Sequence, residues 1–225
     1  MTPKQRAAQA ALAHVRSGML LGLGTGSTAD CFIRALAEAL GRGALNDIRC
    51  VPTSIQSQKL AEQLGVPLTT LSEVGTLDLT VDGADEIDPN LDLIKGLGGA
   101  LLREKIVAQN SRALLIVADS SKRVARLGQR CPLPVEVVPF EHACQAAFLA
   151  GLGCRPTLRL GPDGTPFITD NGNVIYDCRF DGIASPRRLL DELAHRAGIV
   201  ECGLFLGMAT KAVVADEREV VEMVA

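Results

Sequence analysis

Tryptophan is absent from this chain, tyrosine occurs once, and aromatic residues make up only 3% of its 225 positions, while the formal charge is close to balanced at −3. Without a basic stripe or an aromatic platform on which bases stack, nucleic acid is excluded as a partner. No run approaches the roughly 18 continuous apolar residues of a membrane span, and the opening MTPKQRAAQA lacks the apolar centre of a secretory leader. A cytoplasmic protein with no membrane partner is expected. The three histidines, at 14, 142 and 195, lie far apart and form neither HExxH nor a cysteine-histidine cluster, so no metal site is expected. The seven cysteines, at 31, 50, 131, 144, 154, 178 and 202, are odd in number and contain no CxxC, which argues for reduced, buried thiols rather than a disulfide framework. A GxSxG elbow is also missing, and the serines of DSSK do not have the SxxK spacing of acyl-enzymes. Acid-base chemistry by carboxylates is what these absences leave.

The carboxylates are concentrated in LTVDGADEIDPNLDLIKGLGGALLREK, residues 79–105. The apolar run 77–81, stopped by Gly83, predicts a buried strand whose end delivers Asp82 and Asp85 into a loop, where ligands of open α/β sheets bind. A second short run, 91–94, leads into Lys95 and then Gly96, Gly98 and Gly99, where missing β-carbons allow close approach to the backbone. A helix is expected from about Ala100, and its side chains lean toward its N-terminus, which turns Glu104 back toward the glycine loop. Asp88, Asn90 and Asp92 resemble the start of a calcium loop, but Leu93 stands where the sharp turn requires glycine.

Along the chain, Thr2, Pro3 and Gln5 predict a capping-box start to a helix that runs to Gly18. The strand 19–23 follows, then GLGTGSTAD, a glycine loop entering a helix whose buried stripe is Ala29, Phe32, Ile33, Leu36 and Leu40. Its amides and the hydroxyls of Thr25, Ser27 and Thr28 suit a phosphate at the positive helix end. The dinucleotide fingerprint fails, because Ser27 occupies the third glycine position and the next strand, 48–51, has no acid after it. A P-loop fails for want of GKS or GKT. Ser54 predicts a helix to about Leu64, and 66–69 a weak strand. The strand 113–118 ends in DSSK, which places Asp119 and Lys122 at the same sheet edge. From Cys131 the order of predicted elements is βαββαβ, ending with a strand over 199–206. The expected architecture is α/β: a Rossmann-like open sheet with helices on both faces, formed by 1–130 and 207–225, plus an inserted α+β ferredoxin-like small domain over 131–206. One or two strands are expected in 211–224.

Taken together, GLGTGSTA, VDGADEID, KGLGGALLREK, VADSSK, PLPVEVVPF and TDNGNVIYD, in this order over most of the chain, resemble ribose-5-phosphate isomerase of the A type. The resemblance implies interconversion of D-ribose 5-phosphate and D-ribulose 5-phosphate through an enediol(ate), in the non-oxidative pentose phosphate pathway, without cofactor or metal. The partner is then a small-molecule sugar phosphate, and the assembly a homodimer or a homotetramer. By matching position, Glu104 is the base, Asp82 assists ring opening, and Lys95 and Asp85 contact the reacting oxygens. Substrate binding maps to Thr25, Gly26, Ser27 and Thr28, to Asp82, Gly83, Ala84 and Asp85, to Lys95, Gly96, Leu97 and Gly98, and to Lys122. Where the family usually has KGGG, Leu97 interrupts the glycines, a strain if that position needs a positive φ. Two other readings stay open: a sugar-phosphate-sensing module of a transcription regulator, and an acyl-CoA transferase with Glu104 as nucleophile.

Overall fold

The strand Leu20–Leu23 is the one around which the larger sheet is assembled. In the computed structural model, which describes residues 1–225, segments 1–84, 103–122 and 207–225 form one unit. Its six-stranded sheet runs, edge to edge, Val220–Val224, Lys211–Ala215, Leu114–Asp119, Leu79–Asp82, Leu20–Leu23 and Arg49–Pro52. Neighbours are parallel throughout, except that Val220–Val224 runs antiparallel to Lys211–Ala215. Alternation along the strands sends Leu21, Leu23, Val81, Leu115 and Val117 to one face, against Ala7, Ala8 and Ala11 of the helix Pro3–Ala11 and Phe32, Ile33 and Leu36 of the helix Ser27–Gly41. On the other face Val51 and Leu77 pack on Val107 of the helix Leu101–Gln109. Helices therefore cover both faces, as expected of a mostly parallel sheet with near-continuous apolar strands. Each fully buried Leu, Ile or Phe in these layers contributes roughly 1.5–3 kcal/mol.

Local differences from the sequence reading have local causes. The Thr2/Gln5 capping box forms with Pro3 inside it, but the helix stops at Ala11 and a 3₁₀ turn ends at His14. Val15 is extended, with φ −96° and ψ 138°, and its burial in the core draws the chain out of helical conformation before Gly18 is reached. Residues 66–69 make a single bridge, between Leu68 and Cys50, since Pro67 in that segment has no N–H to continue a ladder.

Segments 85–102 and 123–206 form the second unit. Its antiparallel sheet has the order Ile199–Cys202, Leu133–Val137, Val174–Arg179, Arg155–Leu158. With the helices Ala143–Gly151 and Pro186–Ala194 this is the ferredoxin-like arrangement, packed around Leu133, Val135, Val137, Tyr176, Leu149 and Leu193. Residues 85–102 and 123–130, grouped with the first domain in the sequence reading, lie in this unit. Leu93–Ile94 pairs with both Glu86–Ile87 and Leu204–Phe205, and the buried Glu86 carboxylate accepts the amide hydrogens of Gly128, Arg130 and Cys131. The expected strand 199–206 breaks at Gly203, where a β-carbon would stand 2.2 Å from the carbonyl oxygen of Lys95. No helix of the chain is long and apolar enough to cross a membrane.

Candidate active site

Leu20–Leu23 lies between Arg49–Pro52 and Leu79–Asp82. The chain first fills one side of it and later the other, so the connections leaving these adjacent parallel strands diverge. That is a topological switch point, where α/β sheets open a crevice at their carboxyl ends. Thr25 and Asp82 stand at those ends. Asp82 is fully buried, and its Oδ1 accepts the amide hydrogens of Thr25 at 3.0 Å and Gly83 at 2.7 Å. The approach is close enough that a β-carbon on Gly24 would lie 2.1 Å from that oxygen. Thr25 Oγ1 is 2.7 Å from Thr53 Oγ1 and 2.8 Å from Ser54 Oγ, so the third strand end of the crevice contributes hydroxyls.

Gly26 precedes the helix Ser27–Gly41 with φ 102°, a conformation open to glycine, and its carbonyl accepts the amide hydrogen of Asp30 at 2.8 Å. The amides of the first helical turn face the carboxyl edge of the sheet. Thr28 is buried, whereas Ser27 is exposed and its Oγ accepts a hydrogen bond from Lys4 Nζ at 2.9 Å. Lys4 was not singled out by the sequence reading: it lies on the first helix, 23 positions away, and no local motif connects it to the loop. Thr53 and Ser54 did carry a signal, as hydroxyls directly after an adjacent parallel strand.

Glu104 lies in the first turn of Leu101–Gln109 and is 3% exposed; Lys105 beside it is also buried. Lys122 is half-buried at the end of the turn Ser120–Lys122. Asp119 closes that turn, its Oδ1 accepting the Ser121 amide hydrogen at 3.0 Å. Gly83 and Ala84 are half-buried as the chain leaves the Asp82 strand.

In the second unit, the half-buried Asp85 accepts the amide hydrogen of Leu97 on Oδ2 at 2.9 Å, which links the acidic loop to the glycine loop. Lys95 is 2% exposed, with its Nζ 5.5 Å from the centre of the Phe205 ring and its backbone N–H donating to Gly203 at 2.9 Å. Gly96 has φ 100° and Gly99 φ 82°, but Leu97 does not have a positive φ, and its side chain is 40% exposed. The middle glycine of a KGGG run is therefore not required at position 97 by backbone geometry. Asp88 is accounted for by the loop: its Oδ1 accepts the amide hydrogens of Asn90 and Asp92.

The chain is similar to known proteins over nearly all of its length. The model of the family described as ribose 5-phosphate isomerase A (phosphoriboisomerase A) matches residues 49–219. A ribose-5-phosphate isomerase A from Roseiflexus castenholzii (strain DSM 13941 / HLO8) is 53% identical over 220 residues, covering 98% of this chain and 94% of the relative. Among solved structures, a D-ribose-5-phosphate isomerase in complex with phospho-erythronic acid has a TM-score of 0.96 at 39% identity, over 99% of this chain and 97% of that one. The ribose 5-phosphate isomerase A of Methanocaldococcus jannaschii has a TM-score of 0.94 at 38% identity, over 99% and 98% of the two chains. The chain belongs to the ribose-5-phosphate isomerase A family, the enzymes that interconvert ribose 5-phosphate and ribulose 5-phosphate.

Proposed function

We propose that this isomerisation proceeds through an enediolate with Glu104 as the base. The observation that carries the reading is the burial of the Glu104 carboxyl, 3% exposed, in the same unit as the fully buried Asp82 at the strand switch point. A carboxylate withdrawn from bulk water is less shielded by solvation when it takes up a carbon-bound proton, and it can exchange that proton before returning it to the substrate.

In this mechanism Asp82 takes the proton of the anomeric hydroxyl and passes it to the ring oxygen as the C1–O4 bond breaks, which opens the furanose to the aldehyde and leaves Asp82 a carboxylate again. Glu104 then removes the proton on C2. The electron pair forms the C1–C2 double bond and places negative charge on O1, where Lys95 and a glycine-loop amide stabilise it. The hydroxyl proton on O2 moves to O1, and Glu104 delivers its proton to C1, giving the ketose. Nothing is consumed or released. The phosphate is held by the amides at the start of Ser27–Gly41 and by the ammonium groups of Lys4 and Lys122, a cluster suited to a dianion. Asp85 contacts a substrate hydroxyl. The assignments of Asp85, Lys95, Gly96, Leu97 and Gly98 rest on their match to the family's motif, as does a homodimeric assembly. The phospho-erythronic acid in the solved relative supports the enediolate, because a carboxylate next to a sugar-phosphate skeleton carries charge where an enediolate does.

Proton NMR of ribose 5-phosphate in D₂O with purified, chelator-treated enzyme tests the mechanism. Ribulose 5-phosphate carrying deuterium on the carbon that receives the proton is expected. Ketose formed with no solvent deuterium, and a C2 hydrogen quantitatively retained at C1 under all conditions, points to hydride transfer and overturns it.

A further inference from the structure

Arg159, which follows the strand Arg155–Leu158, holds more than the fold of its own hairpin. Its Nε donates to Asp177 Oδ2 at 2.9 Å and its Nη2 to Asp177 Oδ1 at 2.5 Å. The remaining terminal nitrogen, Nη1, donates to two consecutive carbonyl oxygens, those of Gly96 and Leu97, each at 3.1 Å. The guanidinium lies 5.7 Å from the centre of the Phe167 ring, and that ring stands where a β-carbon on Gly99 would project, with Cζ 2.5 Å away. The two side chains of the pair are 12% and 23% exposed. A pair so far out of water gives little net stability by itself. Its geometry has a more specific effect.

In a trans peptide the carbonyl and the following N–H point in opposite directions, and the chain has no cis peptide. Arg159 draws the Gly96 carbonyl to one side, so the Leu97 N–H points to the other, where it meets Asp85 Oδ2 at 2.9 Å. Arg159 draws the Leu97 carbonyl in the same way, which turns the Gly98 N–H away from the guanidinium. We propose that Arg159, locked by Asp177, is a positioning residue for the isomerisation. It presets the Gly98 amide as a donor to the oxygen that gains charge in the enediolate, and it steadies Asp85 through the Leu97 amide. The inference rests on the reading that residues 95–98 contact substrate. A guanidinium is required because only its planar fork serves a carboxylate and two carbonyls together.

The test compares Arg159→Met, Arg159→Lys and Asp177→Asn with the parent enzyme for kcat, KM, inhibition by phospho-erythronate and melting temperature. A preset donor acts on the charged intermediate more than on bound substrate. Arg159→Met is expected to lower kcat by roughly 10–100-fold, somewhat less than deleting an oxyanion donor outright. KM should stay within about threefold, and phospho-erythronate should weaken by about the same factor as kcat, since its carboxylate mimics the charged state. Arg159→Lys should not rescue, and Asp177→Asn should fall in between. A purely structural role would lower the melting temperature without weakening phospho-erythronate relative to substrate, and that result overturns the proposal, as does a folded Arg159→Met with kcat within about twofold of the parent. If Arg159→Met does not fold, Asp177→Asn decides: parental kcat and inhibition overturn the proposal. Lys95→Met separates the two levels. Full activity there means that the loop does not serve the substrate and the underlying reading fails; loss there with an unaffected Arg159→Met removes only the positioning role.

Discussion

Thr25 donates its backbone N–H to Oδ1 of Asp82 across 3.0 Å, tying together the ends of two adjacent parallel strands. The bond depends on Gly24, whose position leaves no room for a side chain: an added β-carbon would meet Asp82 Oδ1 at 2.1 Å and Asp82 Cα at 2.4 Å. Gly24→Ala is therefore expected to cost about 1–3 kcal/mol and to displace the carboxylate, with loss of activity. Gly41→Ala is the control: nothing lies within 4 Å of the added carbon, and the helix there tolerates alanine. Thermal melts and initial rates on both variants check this, and equal melting temperatures would contradict it.

Lys4 and Lys122 are expected to act on binding rather than on chemistry. Lys4 Nζ is 2.9 Å from Ser27 Oγ at the start of a 15-residue helix, and Lys122 ends the turn after the strand Leu114–Asp119. Replacing either by alanine removes attraction felt by bound substrate and transition state alike, so KM should rise, by about tenfold, with kcat nearly unchanged. Steady-state kinetics distinguish this from a fall in kcat at constant KM, which would move these lysines into the chemical step.

Acid should weaken the outer edge of the larger sheet. Lys211 Nζ donates to Glu222 Oε2 at 3.0 Å and His14 Nε2 lies 2.9 Å from Oε1; the first and then the second holds the Glu222 carboxyl below the usual range. An acid whose folded pKa is depressed lends stability above its unfolded value, about 4.3, and that contribution is lost as pH falls through the lower folded value. The side chain is 44% exposed, so the effect is less than about 1 kcal/mol. Glu222→Gln should lower the melting temperature slightly at pH 7, and the difference should shrink as pH falls through the depressed folded value. A larger difference at pH 3 than at pH 7 would contradict the assignment.

Much of this architecture was readable from residues because the signals were local and unopposed. The apolar strand runs stopped by Gly24 and Gly83 gave the parallel sheet, and Thr2 with Gln5 and Ser54 gave two helix starts. The βαββαβ order gave the ferredoxin-like unit. What escaped was set by contacts distant in sequence. Glu86–Ile87 forms a strand although it sits in an acidic loop, because Leu93–Ile94 pairs with it, and a two-residue strand has no alternation to detect. Lys4 reaches Ser27 only after the first two helices pack. Arg159 reads as an ordinary residue at a strand end, and its two carbonyl partners lie more than 60 positions away. Leu97 was a warning in sequence that the backbone resolves, since its φ is not positive.

The central claim is that the buried Glu104 moves the proton, and Glu104→Gln tests it most directly. Glutamine preserves size and a hydrogen-bonding oxygen but is not a base. The account predicts a folded enzyme with KM within about threefold of the parent, turnover lower by roughly 100-fold or more, and solvent deuterium incorporation falling in step with it. Turnover and deuterium exchange within about twofold of the parent would contradict it and assign the proton transfer to another group.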